Sequence, residues 1–162
     1  AKGIEAADAV LKAADTALLY AKPVCPGKYT ILFDGDVAAV NASLDAGAAV
    51  IDAHLVDSVV IPRIHPQVIQ AISLSTAPDG VNAVGVMEFF SVTAAVYAAD
   101  VTLLDVRLGV GIGGKSFAVL TGEVAAVEEA VRCGMAAGEE KGLAVTSTVI
   151  PSPRKEIFDT LL

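Results

Sequence analysis

The sequence predicts an α/β chain made of two tandem copies of one folding unit, and three observations predict it. A hexapeptide repeats: Gly35-Asp36-Val37-Ala38-Ala39-Val40 returns as Gly122-Glu123-Val124-Ala125-Ala126-Val127, an offset of 87 residues. Flanking motifs return in the same order, Gly27-Lys28 as Gly114-Lys115, Val60-Ile61-Pro62 as Val149-Ile150-Pro151 and Ala6-Ala7-Asp8 as Ala98-Ala99-Asp100. Within each copy, apolar alternation of period two gives way to spacing near 3.6, the mark of strands interleaved with helices. The copies span roughly 80 to 90 residues each. Ser75-Thr76-Ala77-Pro78-Asp79-Gly80 is a polar, turn-forming cluster between them, so the domains are placed at 1–77 and 78–162.

Each element has its own reason. Ile4 to Asp15 is expected as a helix, with Ile4, Ala7, Val10 and Leu11 on one face. Ala17 to Ala21 and Tyr29 to Phe33 are strands around the loop Pro23-Val24-Cys25-Pro26-Gly27-Lys28. Two prolines and a glycine make that loop a shaped turn. Asp36 stands as N-cap of a helix from Val37 to about His54. Val56 to Ile61 is expected as a strand ended by Pro62, and His65-Pro66 opens a short helix ending near Ile72. Ala83 to Glu88 supplies the second copy with an opening strand that the first lacks in the sequence as given. The resulting order, β-α-β-β-α-β, is the split βαβ or ferredoxin-like plan.

One spacing breaks the repeat. Ala98-Ala99-Asp100 answers Ala6-Ala7-Asp8 at an offset of 92, whereas Leu103-Leu104 answers Leu18-Leu19 at 85. The second copy's first helix is therefore about two turns short. Omission of residues from the chain as written explains this better than a true deletion, which would expose the sheet behind the helix.

Composition excludes several classes. Hydrophobic residues make up 54% of the chain and the mean hydropathy is +0.64. Even so, a charged residue interrupts every apolar segment before the roughly 18 residues of a membrane span. No leader pattern opens the chain. Surplus apolar surface on such a chain is expected to serve subunit contacts. A formal net charge of −8 argues against nucleic acid, which rewards basic patches. Two cysteines without an export signal fit a reducing cytoplasm and free thiols.

The chemistry-bearing residues are few. Cys25 sits at the tip of its turn, and a single cysteine cannot hold an iron–sulfur cluster, which takes three or four thiolates. It is either a half-buried thiol without a ligand or one of several copies brought together by a closed ring. The matching loop, Gly109-Val110-Gly111-Ile112-Gly113-Gly114-Lys115-Ser116, has the letters of a phosphate-binding loop. A strand, not a helix, is expected after it, so the anion would face no helix N-terminus. Lys12 near a helix end complements the dipole. His65 has no carboxylate or second histidine at metal-ligand spacing. Cys133, between Val131 and Gly134, is expected in the core. No paired acid–base constellation is present, so no catalytic residues are assigned and an enzyme is not expected.

Together these motifs resemble the bacterial microcompartment shell domain: Ala83-Val84-Gly85-Val86-Met87-Glu88, the Ala-rich helix with Lys12, the Gly-Lys turn, Gly-Asp-Val-Ala-Ala-Val, and Val60-Ile61-Pro62-Arg63 followed by His65. The resemblance covers nearly the whole chain, twice. It implies a cytoplasmic shell protein paving a polyhedral bacterial compartment with other shell proteins. Members with two such domains form homotrimers that imitate a hexagonal tile. The Cys25-Pro26-Gly27-Lys28 turn resembles the T-type members of propanediol-utilisation compartments, whose trimer holds a [4Fe–4S] cluster at its centre. By that resemblance Cys25 from each of three chains ligates the cluster, electrons cross the shell, and an encapsulated redox enzyme is a partner. Pro23, Val24, Pro26, Gly27, Lys28, Gly111, Ile112, Gly113, Gly114 and Lys115 then belong to the loops around the central pore, and Lys12, Arg63 and His65 to contacts between tiles. Pro151-Ser152-Pro153-Arg154 departs from the Arg63 and His65 pattern, which puts identical edges in doubt. The alternatives are a tile with an open pore for small metabolites and no cluster, or a trimeric ferredoxin-like sensor of small molecules.

Overall fold

The computed structural model describes residues 2–72, 82–102, 105–112, 115–154 and 156, with backbone alone over 105–112. The chain divides into two compact units, Ala1–Pro62 and Arg63–Leu162. The expected linker at 75–80, and with it the boundary at 77/78, lies outside the described residues.

The first unit holds helix α1 (Lys2–Ala13), strands β1 (Thr16–Val24) and β2 (Lys28–Gly35), and helix α2 (Val37–Ile51) followed by a 3₁₀ turn over Asp52–His54. The strands form an antiparallel hairpin with register Thr16↔Gly35 to Val24↔Lys28, shifted once between Leu18 and Tyr20. The helices approach closely because α2 presents Gly47 to Val10: a Cβ there would lie 2.7 Å from Val10 Cγ2. A hydroxyl pair at 3.4 Å, Ser43 with Thr16, ties α2 to β1. Asp36 occupies the N-cap position but makes no side-chain cap bond; its carbonyl accepts from Val40 N–H instead.

One expected strand does not form. Residues 55–61 join no ladder, and Leu55 and Val56 are exposed. The counterpart in the second copy takes its hydrogen bonds from an opening strand, and the described part of the first unit contains no element at that place.

The second unit carries α3 (Pro66–Ile72), β3 (Ala83–Phe89), α4 (Val92–Thr102), β4 (Asp105–Ile112), β5 (Lys115–Gly122), α5 (Val124–Glu140) and β6 (Ala144–Pro151). From β3 onward this is the expected β-α-β-β-α-β order. The sheet order is β4-β5-β3-β6, with every neighbouring pair antiparallel. Strands β3 and β4 are therefore parallel with β5 inserted between them, which defines the split βαβ plan. As an interior strand, β3 is buried almost throughout, and Val84, Met87, Phe89 and Leu120 with Val127 of α5 make the core. Helix α5 lies close to β3 because glycines line the crossing. Any Cβ on Gly85 would meet Val127 and Val131 at 2.7 Å, and one on Gly134 would meet Met87 Sδ at 2.6 Å. Gly142, with φ +64, ends α5 in the left-handed conformation that a glycine C-cap supplies. The join where seven residues are short falls between Asp100 and Leu103; helix α4 runs on through it to Thr102, 11 residues long against the 12 of α1, so the described helix is not two turns the shorter.

Candidate functional site: the hairpin tip and the repeat's edge turns

Cys25 owes its position to the hairpin. Val24↔Lys28 is the last ladder pair, so Cys25, Pro26 and Gly27 form the whole tip. The Cys25–Pro26 peptide is cis and Gly27 has φ +79, a value that costs glycine nothing. Behind the tip, Tyr29 Oη donates to the Ala21 carbonyl at 3.2 Å and Lys22 Nζ stands 5.4 Å from the Tyr20 ring centre. Cys25 is a free, exposed thiol, and Lys28 is half-buried beside it. Among the described residues no three His, Cys, Asp or Glu side chains gather to hold a metal. One chain thus offers a single soft donor at a projecting turn.

The second hairpin repeats this plan. Ile112↔Lys115 is its last described pair, Gly111 and Ile112 belong to β4, and Gly113 and Gly114 lie outside the described residues. Lys115 begins strand β5, so no helix follows the lysine and the phosphate-loop letters carry no phosphate-loop structure. Its Nζ pairs with Glu88 Oε1 on β3 at 3.0 Å, a partnership between elements that the motif did not reveal.

The three residues expected at tile edges divide between two environments. Lys12, in the last turn of α1, pairs with Asp8 at 2.6 Å with both side chains mostly exposed. Arg63 follows Pro62 with φ +59 and its side chain is exposed. His65 is held at its backbone: its N–H donates to Asp100 Oδ1 at 2.7 Å, and its Nδ1 accepts from Gln67 N–H at 3.3 Å. The carboxylate near His65 therefore comes from α4 and takes the main chain, not the ring.

Cys133 is not a core residue. The buried stripe of α5 is Val127, Ala130, Val131, Gly134 and Gly138, and Cys133 falls beside it, half-exposed. Its thiol lies 3.5 Å from Glu129 Oε1. Arg132 donates to the same carboxylate through Nε at 2.8 Å. Hydrogen bonding to Arg132 holds the Glu129 carboxyl down at about 2, desolvation opposing it and the Cys133 thiol and the Arg132 charge adding to it.

Comparison with known proteins places this geometry. The BMC domain family matches residues 1–64 and again 83–153. The chain belongs to the BMC domain family. It is 42% identical over 165 residues to the bacterial microcompartment shell protein PduT of Citrobacter freundii, covering 98% of this chain and 90% of that protein. The shell protein EutM of Escherichia coli matches half as much, 40% identical over 81 residues and 49% of this chain. A crystal structure of a microcompartment protein from Desulfitobacterium hafniense superposes with a TM-score of 0.87 at 47% identity, covering 98% of this chain and 92% of that one. The two repeats are thus two BMC domains. No helix among the described residues is long and apolar enough to cross a membrane.

Proposed function

We propose that this chain is a structural shell protein of a bacterial microcompartment, of the PduT type, and acts without catalysis. The observation that carries the reading is the double BMC-domain match combined with full-length similarity to PduT. Three chains would close into a pseudo-hexagonal tile, two domains per chain supplying the six positions, and tiles would join other shell proteins in the bacterial cytoplasm.

The Cys25 loop supports a finer reading, in which the tile's centre holds an iron–sulfur cluster. The donor fits: a soft thiol, exposed at a projecting tip, with no competing ligand cluster among the described residues. A three-fold ring would bring three copies of Cys25 together, enough for three irons of a cubane. Such a cluster supplies one-electron transfer when bound, and the partner that reading implies is an enclosed redox enzyme. The protein's own part is to project the thiol and to carry the neighbouring positive charge of Lys28.

Anaerobic purification with an absorption spectrum and an iron and sulfide count tests the cluster. About four irons per trimer are expected. Protein that takes up no iron on reconstitution leaves an ordinary pore at the centre, open to small metabolites. Light scattering tests the tile separately, and a monomer at micromolar concentration would overturn it.

A further inference from the structure

Inside the second unit, the end of one copy docks on the beginning of the next. The segment after Pro62 closes the first copy, and α4 is the first helix of the second. They meet where His65 N–H donates to Asp100 Oδ1, with α3 then packing against β4 and α4. Because the chain is a repeat, it contains a second tail and a second helix of the same kind. The tail is Val149-Ile150-Pro151-Ser152-Pro153-Arg154, aligned with Val60 to His65 so that Arg154 stands where His65 does. Its backbone follows suit: Ser152 has φ +48 where Arg63 has φ +59. The helix is α1, whose Ala6-Ala7-Asp8 answers Ala98-Ala99-Asp100.

We infer that the Arg154 turn of one chain docks on Asp8 of α1 in a second copy of this chain, with Arg154 N–H donating to the Asp8 carboxylate as His65 N–H donates to Asp100 within one chain, and the Arg154 guanidinium adding a charge that His65 does not bring to its site. This rests on the ring proposed above, in which each chain's tail meets the next chain's first helix and the contacts close. Charge agrees with the pairing. Asp8 and Arg154 are both exposed and of opposite sign, and arginine is the side chain suited to a forked bond with a carboxylate. Lys12 takes Asp8 Oδ2, and a carboxylate keeps acceptor capacity for further donors.

Burial agrees as well. Helix α4 encloses Ala94, Ala95, Val96, Ala98, Ala99 and Thr102, whereas α1 encloses only Ala6, Ala7 and Val10. Val96 is 6% exposed, and its counterpart Ile4 is 63% exposed. Of the two equivalent helices, α1 is thus the one with apolar surface left open.

The test is a charge exchange read by light scattering over a dilution series. Asp8→Arg and Arg154→Asp should each raise the concentration at which trimers dissociate, by about tenfold, and the combined variant should bind better than Asp8→Arg alone while staying weaker than the wild type, because arginine at position 8 restores the charge pairing but cannot accept the backbone N–H of position 154. A second measurement does not depend on that equilibrium. Asp8→Cys with Arg154→Cys, in a chain carrying Cys25→Ser and Cys133→Ser, should oxidise to covalent dimers and trimers on a denaturing gel. Wild-type trimers indifferent to both single substitutions would overturn this contact and leave the tile reading standing. A cross-link that runs only as monomer would overturn it too. A wild-type protein that never trimerises would remove the ring itself.

Discussion

Gly85→Ala tests whether the approach of α5 to β3 limits the second domain. The new Cβ would stand 2.7 Å from both Val127 Cγ1 and Val131 Cγ2. Val127 is fully buried and Val131 nearly so, and valine in a helix has essentially one χ1 rotamer. Neither methyl turns away, so the helix has to lift from the sheet. Overpacking of this kind costs about 1–3 kcal/mol. Replacing glycine also shortens the list of unfolded conformers, which returns about 0.4–1 kcal/mol. The net expectation, taking the middle of each range, is a loss of about 1.3 kcal/mol, or a thermal midpoint lower by about 3–5 °C. Urea unfolding followed by circular dichroism should show a lower midpoint at unchanged slope. A double-mutant cycle with Val131→Ala isolates the clash. The combined variant should lose less than the sum of the singles by more than about 0.5 kcal/mol. A neutral or stabilising Gly85→Ala, or strict additivity in the cycle, would refute the close-packing argument.

Three further outcomes are expected. Cys25→Ser should abolish iron uptake and any brown, oxygen-sensitive chromophore without shifting the unfolding midpoint, because a hydroxyl is a poor ligand beside a thiolate; Cys133→Ser should leave the iron count unchanged. Lys12→Ala and Arg63→Ala should weaken sheets or tubes seen by electron microscopy of overexpressed protein while trimers persist, since each edge contact recurs throughout a lattice; loss of the trimer in Arg63→Ala would mean that the residue serves folding. An NMR titration should place Glu129 at about 2, returning to the ordinary carboxylate range near 4.3 in Arg132→Gln. A carboxyl depressed on folding stabilises above its unfolded pKa and loses that contribution as pH falls toward 2; a midpoint unmoved by Arg132→Gln would remove the cause assigned to it.

Much of this fold is legible in the sequence because local pattern and tertiary structure agree. Strand β3 and helices α2 and α3 lie close to where periodicity places them, and the repeated hexapeptide marks a strand-to-helix turn in both copies. The misreadings have separate causes. Residues 55–61 carry a strand's composition, but their counterpart β6 pairs with β3, and the described first unit has no strand in that place. Cys133 has apolar neighbours in sequence, yet the helical stripe through Val127, Val131 and Gly134 passes beside it. Lys115 with Glu88, and His65 with Asp100, join residues on different elements, and no local spacing announces such pairs. The exposed thiol at the hairpin tip was legible from Cys25-Pro26-Gly27, because proline and glycine leave little choice but a turn.

The two domains keep a backbone and vary the chemistry on it. Both copies place a lysine at the start of the second hairpin strand, Lys28 and Lys115, and both place a left-handed residue after the proline, Arg63 and Ser152. These positions fix the course of the chain and are held alike. The side chains hung on them are not: the sequence has Cys25 before Gly27-Lys28 where it has glycines before Gly114-Lys115, and the first tail turn carries His65 where the second carries Arg154. A ring of six identical domains would present a feature six times or not at all. In the ring proposed above, two differing domains in one chain would allow three thiols around a centre and contacts of two kinds between domains. Three is the number of thiolates that leaves one iron of a cubane without a protein ligand. The tandem arrangement would thus give the proposed centre its stoichiometry: about four irons per wild-type trimer are expected, and a Cys25→Ser trimer that still holds about four would overturn the assignment.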